Sequence, residues 1–304
     1  MDYTSFELKL RSILNNGNGP KLLLKLIESP YRFNSNLHPF NIVTKLEQSF
    51  LRAQENNYYK FIVNCAEEIF YSNLDDIEHL KNSFKLDYVI DRDNLDDMNS
   101  EEIIDKSEVI KFRTSIAFRN STDKEMTLIF ARKRDTFSQK KADEFIEQSI
   151  IRAKALSQGN PDWKIKYIVW FIDPLYTSSK EKFDNFTNNE HLQDISISFR
   201  YGADLFSDYM LENKWREIED NINLFKEKNE DFFLKMPNLS TDKETLEFMI
   251  TMSDNAWEKL SSFEPDMVKL REIVFDNENE NSNFKKASRM RIQVLNDSSS
   301  ELNE

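Results

Sequence analysis

Residues 164–173, KIKYIVWFID, contain an unbroken apolar run from Tyr167 to Ile172. A strand points successive side chains to opposite faces, so such a run is stable only where both faces are covered. This predicts a buried central strand. Further strands are predicted at 86–91 (LDYVID), 109–119, 126–133 and 194–199 (DISISF), with NSTDKE as a hairpin turn between the second and third of these. Helical spacing of apolar residues marks 3–29, interrupted at NNGNGP, then 38–70, 138–157 with Ser138 as its N-cap, and 213–275. The acidic stretch 94–108 reads as an exposed loop, and 276–283 as a polar linker.

Only four Gly and seven Pro occur in 304 residues, which argues against a turn-rich all-β fold. The order of elements predicts an α/β fold, a mixed central sheet flanked by helices with a helical C-terminal region. The expected division is 1–212, an α/β core with the N-terminal helices, and 213–304, a helical region with a polar tail.

The formal charge is −13, so nucleic-acid binding would need a local basic cluster. Cys65 is the single cysteine, which excludes an internal disulfide and a cysteine zinc site. His38, His79 and His191 lack metal-ligand spacing. No P-loop or dinucleotide fingerprint is present, so no nucleotide cofactor is expected. No apolar run approaches the roughly 18 residues of a membrane helix, and the polar N-terminus does not read as a signal peptide. A soluble cytoplasmic protein is the expectation.

The functional signal is residues 126–141, MTLIFARKRDTFSQKK. An apolar strand ends in a positive patch of Arg132, Lys133, Arg134, Lys140 and Lys141. Such a patch suits phosphate contacts.

Strand, lysine, helix and later strands together resemble type II restriction endonucleases of the PD-(D/E)XK superfamily, over about residues 60–215. The carrying phrases are CAEEIF, LDYVIDRDN, LIFARKRD, YIVWFIDP and ISISFRYGADLF. The resemblance implies sequence-specific, Mg²⁺-dependent cleavage of double-stranded DNA by a homodimer. Asp87 and Glu67, or Glu68 beside it, would hold the metal, and Lys133 would be catalytic. Arg132, Arg134, Lys140 and Lys141 would contact DNA. Asp87 and Lys133 should then lie on adjacent strands with their ends close together. Phosphodiester hydrolysis of this kind needs carboxylates on a hydrated divalent ion and a lysine beside the attacking water.

Ala131 stands where that family has the Glu of Glu-x-Lys. An alternative alignment takes SIAFR, 115–119, as the first strand and puts Ser115 at the Asp position. Asp91, Glu67 and Asp135 are the acids that would replace a missing ligand. Loss of the Glu is either natural or an engineered Glu→Ala change. The alternatives are a catalytically dead member of the fold that binds DNA or protein, and an acidic helical interaction protein.

Overall fold

The computed structural model describes residues 1–35, 37–89, 107–189, 192, 194–229, 235–276 and 279–301. Most of the expected loop 94–108, and Asp91 with it, lies outside the described residues. In chain order the elements are α1 (Tyr3–Asn15), α2 (Asn18–Glu28), a 3-10 turn (Pro30–Arg32), α3 (Ile42–Asn73), β1 (Ile77–His79), β2 (Ser83–Val89), β3 (Ser107–Arg113), β4 (Ile116–Asn120) and β5 (Glu125–Arg132). Then come α4 (Gln139–Gly159), β6 (Lys164–Phe171), α5 (Lys180–Asn189), β7 (Ile195–Tyr201), α6 (Asp204–Ser207) and α7 (Glu212–Lys228). The chain continues through α8 (Lys243–Thr251), α9 (Asp254–Ser261), α10 (Pro265–Phe275) and α11 (Asn283–Glu301).

The chain forms two units: one of Met1 with Ile62–Ile222, the other of Asp2–Phe61 with Asn223–Glu304. The first is mixed α/β. Its five-stranded sheet has the order β1-β4-β5-β6-β7. The β1–β4 and β4–β5 pairs are antiparallel, and β5–β6 and β6–β7 are parallel. The apolar run of β6 sits one strand from the sheet edge and is covered on both faces, as its sequence requires. On one face, Phe130, Tyr167, Val169 and Phe171 pack under Phe145 and Leu156 of α4 and Phe183 of α5. On the other, Trp170 meets Phe206 and Trp215 edge-on at 5.9 and 5.2 Å, and Phe70 of α3 stacks on Phe206 at 5.3 Å.

The predicted strand 109–119 is two strands in two sheets. β3 pairs only with β2, as a separate antiparallel hairpin, while β4 pairs with β5. The switch occurs at Thr114 and Ser115: the Thr114 amide donates to Asn82 O at 3.0 Å and the Ser115 amide to Ile129 O at 2.9 Å. Alternating side chains continue across the break, so the pattern alone reads as one strand. The hairpin lays Phe84, Leu86 and Ile110 against the α4 side of the core. The Gln158 side chain fixes it by donating to Val89 O and accepting from Val89 N, each at 3.1 Å.

The second unit is helical. Leu22, Leu23, Leu26 and Ile27 of α2 share a core with Leu46 and Phe50 of α3, Met249 of α8 and Phe275 of α10. The expectation of 1–212 and 213–304 kept the N-terminal helices with the sheet; in the structure α2 packs on α8 and α9 instead. Amphipathic helices of either terminus can bury the same kind of face, and sequence order does not choose between them. Gly19 permits the close approach, since a Cβ there would collide with the Thr245 hydroxyl and the Asp242 carboxylate that caps α8.

The segment 284–291 is part of α11. Arg291 donates to the carbonyls of Ile250 and Met252 at 2.8 and 2.9 Å and pairs with Asp254 at 2.6 Å. It satisfies carbonyl groups at the C-terminus of α8 that no later helical turn accepts. Among the described residues, no helix is long and apolar enough to cross a membrane.

Candidate phosphate-binding site

Where β5 ends, the chain is pinned by Asp135. This carboxylate is wholly buried and accepts from the Ser179 amide at 2.8 Å and the Tyr201 hydroxyl at 2.9 Å. Burial, then the bond to Asp135, pushes the Tyr201 phenol upward. The anchor fixes the segment that presents Arg132, Lys133 and Arg134.

Those three side chains border a cavity of ≈ 600 Å³ on the α4 side of the sheet. Arg113, from the end of β3, and Arg152, from the buried side of α4, complete a set of five cations. Ser115 and Thr136 add hydroxyls, while Phe130, Phe145 and Tyr167 supply buried ring surface. Among the described residues no carboxylate lines the cavity. The Arg132 guanidinium lies 4.3 Å from the Phe145 ring centroid and 5.3 Å from that of Phe137. Arg134 lies 4.8 Å over Tyr176, and its Nε is 3.6 Å from Asp173. Stacking pre-orients a guanidinium while leaving its edge donors available.

The Tyr167 hydroxyl is wholly buried, with the side chains of Arg152 and Ser149 beside it. Burial raises its pKa, against the pull of the nearby Arg152. Its neutral phenol forms part of the cavity wall next to Arg152. Forked guanidinium groups, hydroxyls and an absence of acids suit a phosphate or other oxyanion.

The structure brings together part of the predicted set. Ala131, Arg132, Lys133 and Arg134 all line the cavity. Lys140 and Lys141 lie in the first turn of α4, exposed and outside the lining, with Lys140 3.9 Å from Glu144. Asp87 is exposed on β2, opposite Val109, in the separate hairpin. It is therefore not on a strand next to that of Lys133, because β5 pairs with β4 and β6. The residues flanking Asp87, Leu86 and Tyr88, turn toward the interior, which turns Asp87 away.

Glu67 is half-buried on α3 and Glu68 exposed; neither lines the cavity. Burial raises the Glu67 pKa, with His79 pulling the other way. Tyr71, which stacks on His79, is pushed up to about 12 by burial and then by Glu67. Asp135 is taken up by its structural bonds. A magnesium ion needs hard oxygen ligands, with at least one or two carboxylates among them. The cavity offers cations at that place, and its donor set does not fit the ion. Among the described residues no three His, Cys, Asp or Glu converge.

Ser115 Oγ accepts the Ala131 amide proton at 3.0 Å, so the two residues meet where β4 begins. Arg113, Arg152 and Tyr167 were not among the predicted site residues. Arg152 had a signal: it follows Phe145 by seven positions and falls on the apolar stripe of its helix. Arg113 had none, because the sheet switch that places it is not visible in the pattern. No family model matches the chain, and no curated protein or solved structure matches it.

Proposed function

We propose that this chain binds duplex DNA through backbone phosphates at the cavity beside α4, and that it does not hydrolyse the strand it holds. The observation that carries this is the lining: Arg113, Arg132, Lys133, Arg134 and Arg152 around one cavity, with no carboxylate among the described residues there. Such a cluster concentrates positive potential locally in a chain of net charge −13. The mixed sheet with a lysine at the end of β5 supports a nuclease-like ancestry. Ser115 and Ala131 stand where the acids of an endonuclease would be, which favours binding over Mg²⁺-dependent cleavage. A homodimer would set two such sites on one duplex.

Binding should be measured by fluorescence anisotropy on a labelled duplex, with plasmid cleavage assayed in parallel with and without Mg²⁺. The expected result is salt-sensitive binding, weakened in Arg152→Gln, with intact plasmid. Mg²⁺-dependent cutting that is lost in Lys133→Ala would overturn the proposal in favour of an active endonuclease. Light scattering with and without duplex checks the dimer.

A further inference from the structure

The helical unit carries a second basic cavity, of ≈ 350 Å³, between α2, the 3-10 turn and α3. Its cations are Lys25, Arg32, Lys45 and Arg52, and its one acid is Glu28. Lys25 also lies in the last turn of α2, where a cation answers the helix dipole. Arg32 ends the 3-10 turn, and Lys45 and Arg52 lie within α3. None of the four is in an ion pair with a carboxylate among the described residues.

The α3 wall is a row of donors. Lys45, Gln48, Ser49, Arg52 and Asn56 line the cavity; Lys45, Ser49, Arg52 and Asn56 recur at steps of four, three and four residues, which puts them on one helix face, with Gln48 next to Ser49. At 1.5 Å per residue the row is about 16 Å long. It contains no acid, in a chain where Asp and Glu outnumber Lys and Arg by 54 to 41. A ligand matched to it is an extended polyanion rather than a single small ion. Gln48 and Ser49 between the cations are neutral donors that suit phosphodiester oxygens.

Two exposed aromatic rings accompany the groove. Tyr31, next to Arg32, is 62 % exposed, and Phe40 is 49 % exposed with Lys45 Nζ 6.0 Å from its ring centroid. Leaving rings in water beside a cationic groove is the arrangement that receives unstacked bases, with phosphates on the cations and bases on the rings. A paired duplex keeps its bases stacked and would not use them.

We infer that the groove between α2 and α3 binds single-stranded nucleic acid, with Arg32, Lys45 and Arg52 on the phosphates and Tyr31 and Phe40 stacking bases. This site is separate from the cavity beside α4 and does not depend on the function proposed for it.

The test uses the full chain and a fluorescein-labelled oligothymidylate of about 12 nucleotides, a length within the span of known single-strand sites. Anisotropy would be read at several salt concentrations, with a duplex of the same length in parallel and polyaspartate as competitor. Two variants separate the contributions: Arg32→Gln with Arg52→Gln, and Tyr31→Ala with Phe40→Ala. Each pair should weaken oligothymidylate binding about tenfold or more, and only the charge pair should flatten the salt slope. Duplex binding should change little in either. If neither variant weakens binding, or the unaltered protein binds no oligothymidylate, the inference is overturned. It is also overturned if the charge pair alone matters and polyaspartate competes as well as the oligonucleotide, since the groove then takes acidic chains in general. Loss of single-strand binding in both variants from a protein that binds no duplex would sustain this site and sink the function proposed above.

Discussion

The Ala131 amide, in β5, donates at 3.0 Å to Oγ of Ser115, the residue just before β4. With a methyl group at one position and a hydroxyl at the other, restoring one acid does not restore a metal site. Ala131→Glu is expected to give no Mg²⁺-dependent plasmid cleavage. Its new carboxylate enters a cluster of five cations and should weaken duplex binding about tenfold at low salt. Cleavage gained by this single substitution would show that another carboxylate reaches the site.

Arg113 and Arg152 reach the cavity from β3 and α4. If each holds one phosphate, the Arg113→Gln, Arg152→Gln protein should lose about 1.8 from its log–log salt slope, roughly 0.9 per phosphate. Lys140→Gln with Lys141→Gln should change the slope by less than half as much, since those side chains stand outside the cavity. Duplex titrations at a series of salt concentrations give both slopes. Equal losses would move the phosphate surface onto the start of α4.

Tyr201→Phe leaves the buried Asp135 carboxylate with one fewer donor. Hydrogen bonds to charged groups contribute about 1.5–3 kcal/mol, and a loss in that range is expected. Urea denaturation followed by circular dichroism measures it. Duplex affinity should stay within about twofold, because Asp135 holds the loop and does not face the cavity. A large fall in affinity with unchanged stability would place this acid in the site.

Glu67 has its pKa raised above the ordinary 4.5 by burial, opposed by His79. The folded protein therefore holds this proton to higher pH than the unfolded chain does. Stability falls as pH rises from about 4.5 through the raised value, and the loss persists above it. Glu67→Gln should melt higher than the parent at pH 7, with the difference closing at pH 4. A variant that melts lower at pH 7 would mean that the attraction to His79 outweighs the burial.

The sequence by itself determined the elements and the class of fold. The apolar run 167–172 demanded cover on both faces, and β6 has it. The strands at 126–133 and 194–199 and the helix at 138–157 appear within a residue or two as β5, β7 and α4, because side-chain periodicity is a local property. Three of the five cavity cations were also local: Arg132, Lys133 and Arg134 follow one another at a strand end. What the tertiary structure decided was which segments share a surface. It split 109–119 between two sheets at Thr114 and Ser115, sent Asp87 away with the hairpin, and brought Arg113 and Arg152 to the lysine instead. It also joined α2 to α8 across more than 200 residues of chain. Alternation is preserved whichever strand is the neighbour, and amphipathic helices accept any apolar partner. Pairing is settled only by the contacts themselves, and so the chemistry of the cavity, cationic rather than metal-binding, is a property of the assembled fold.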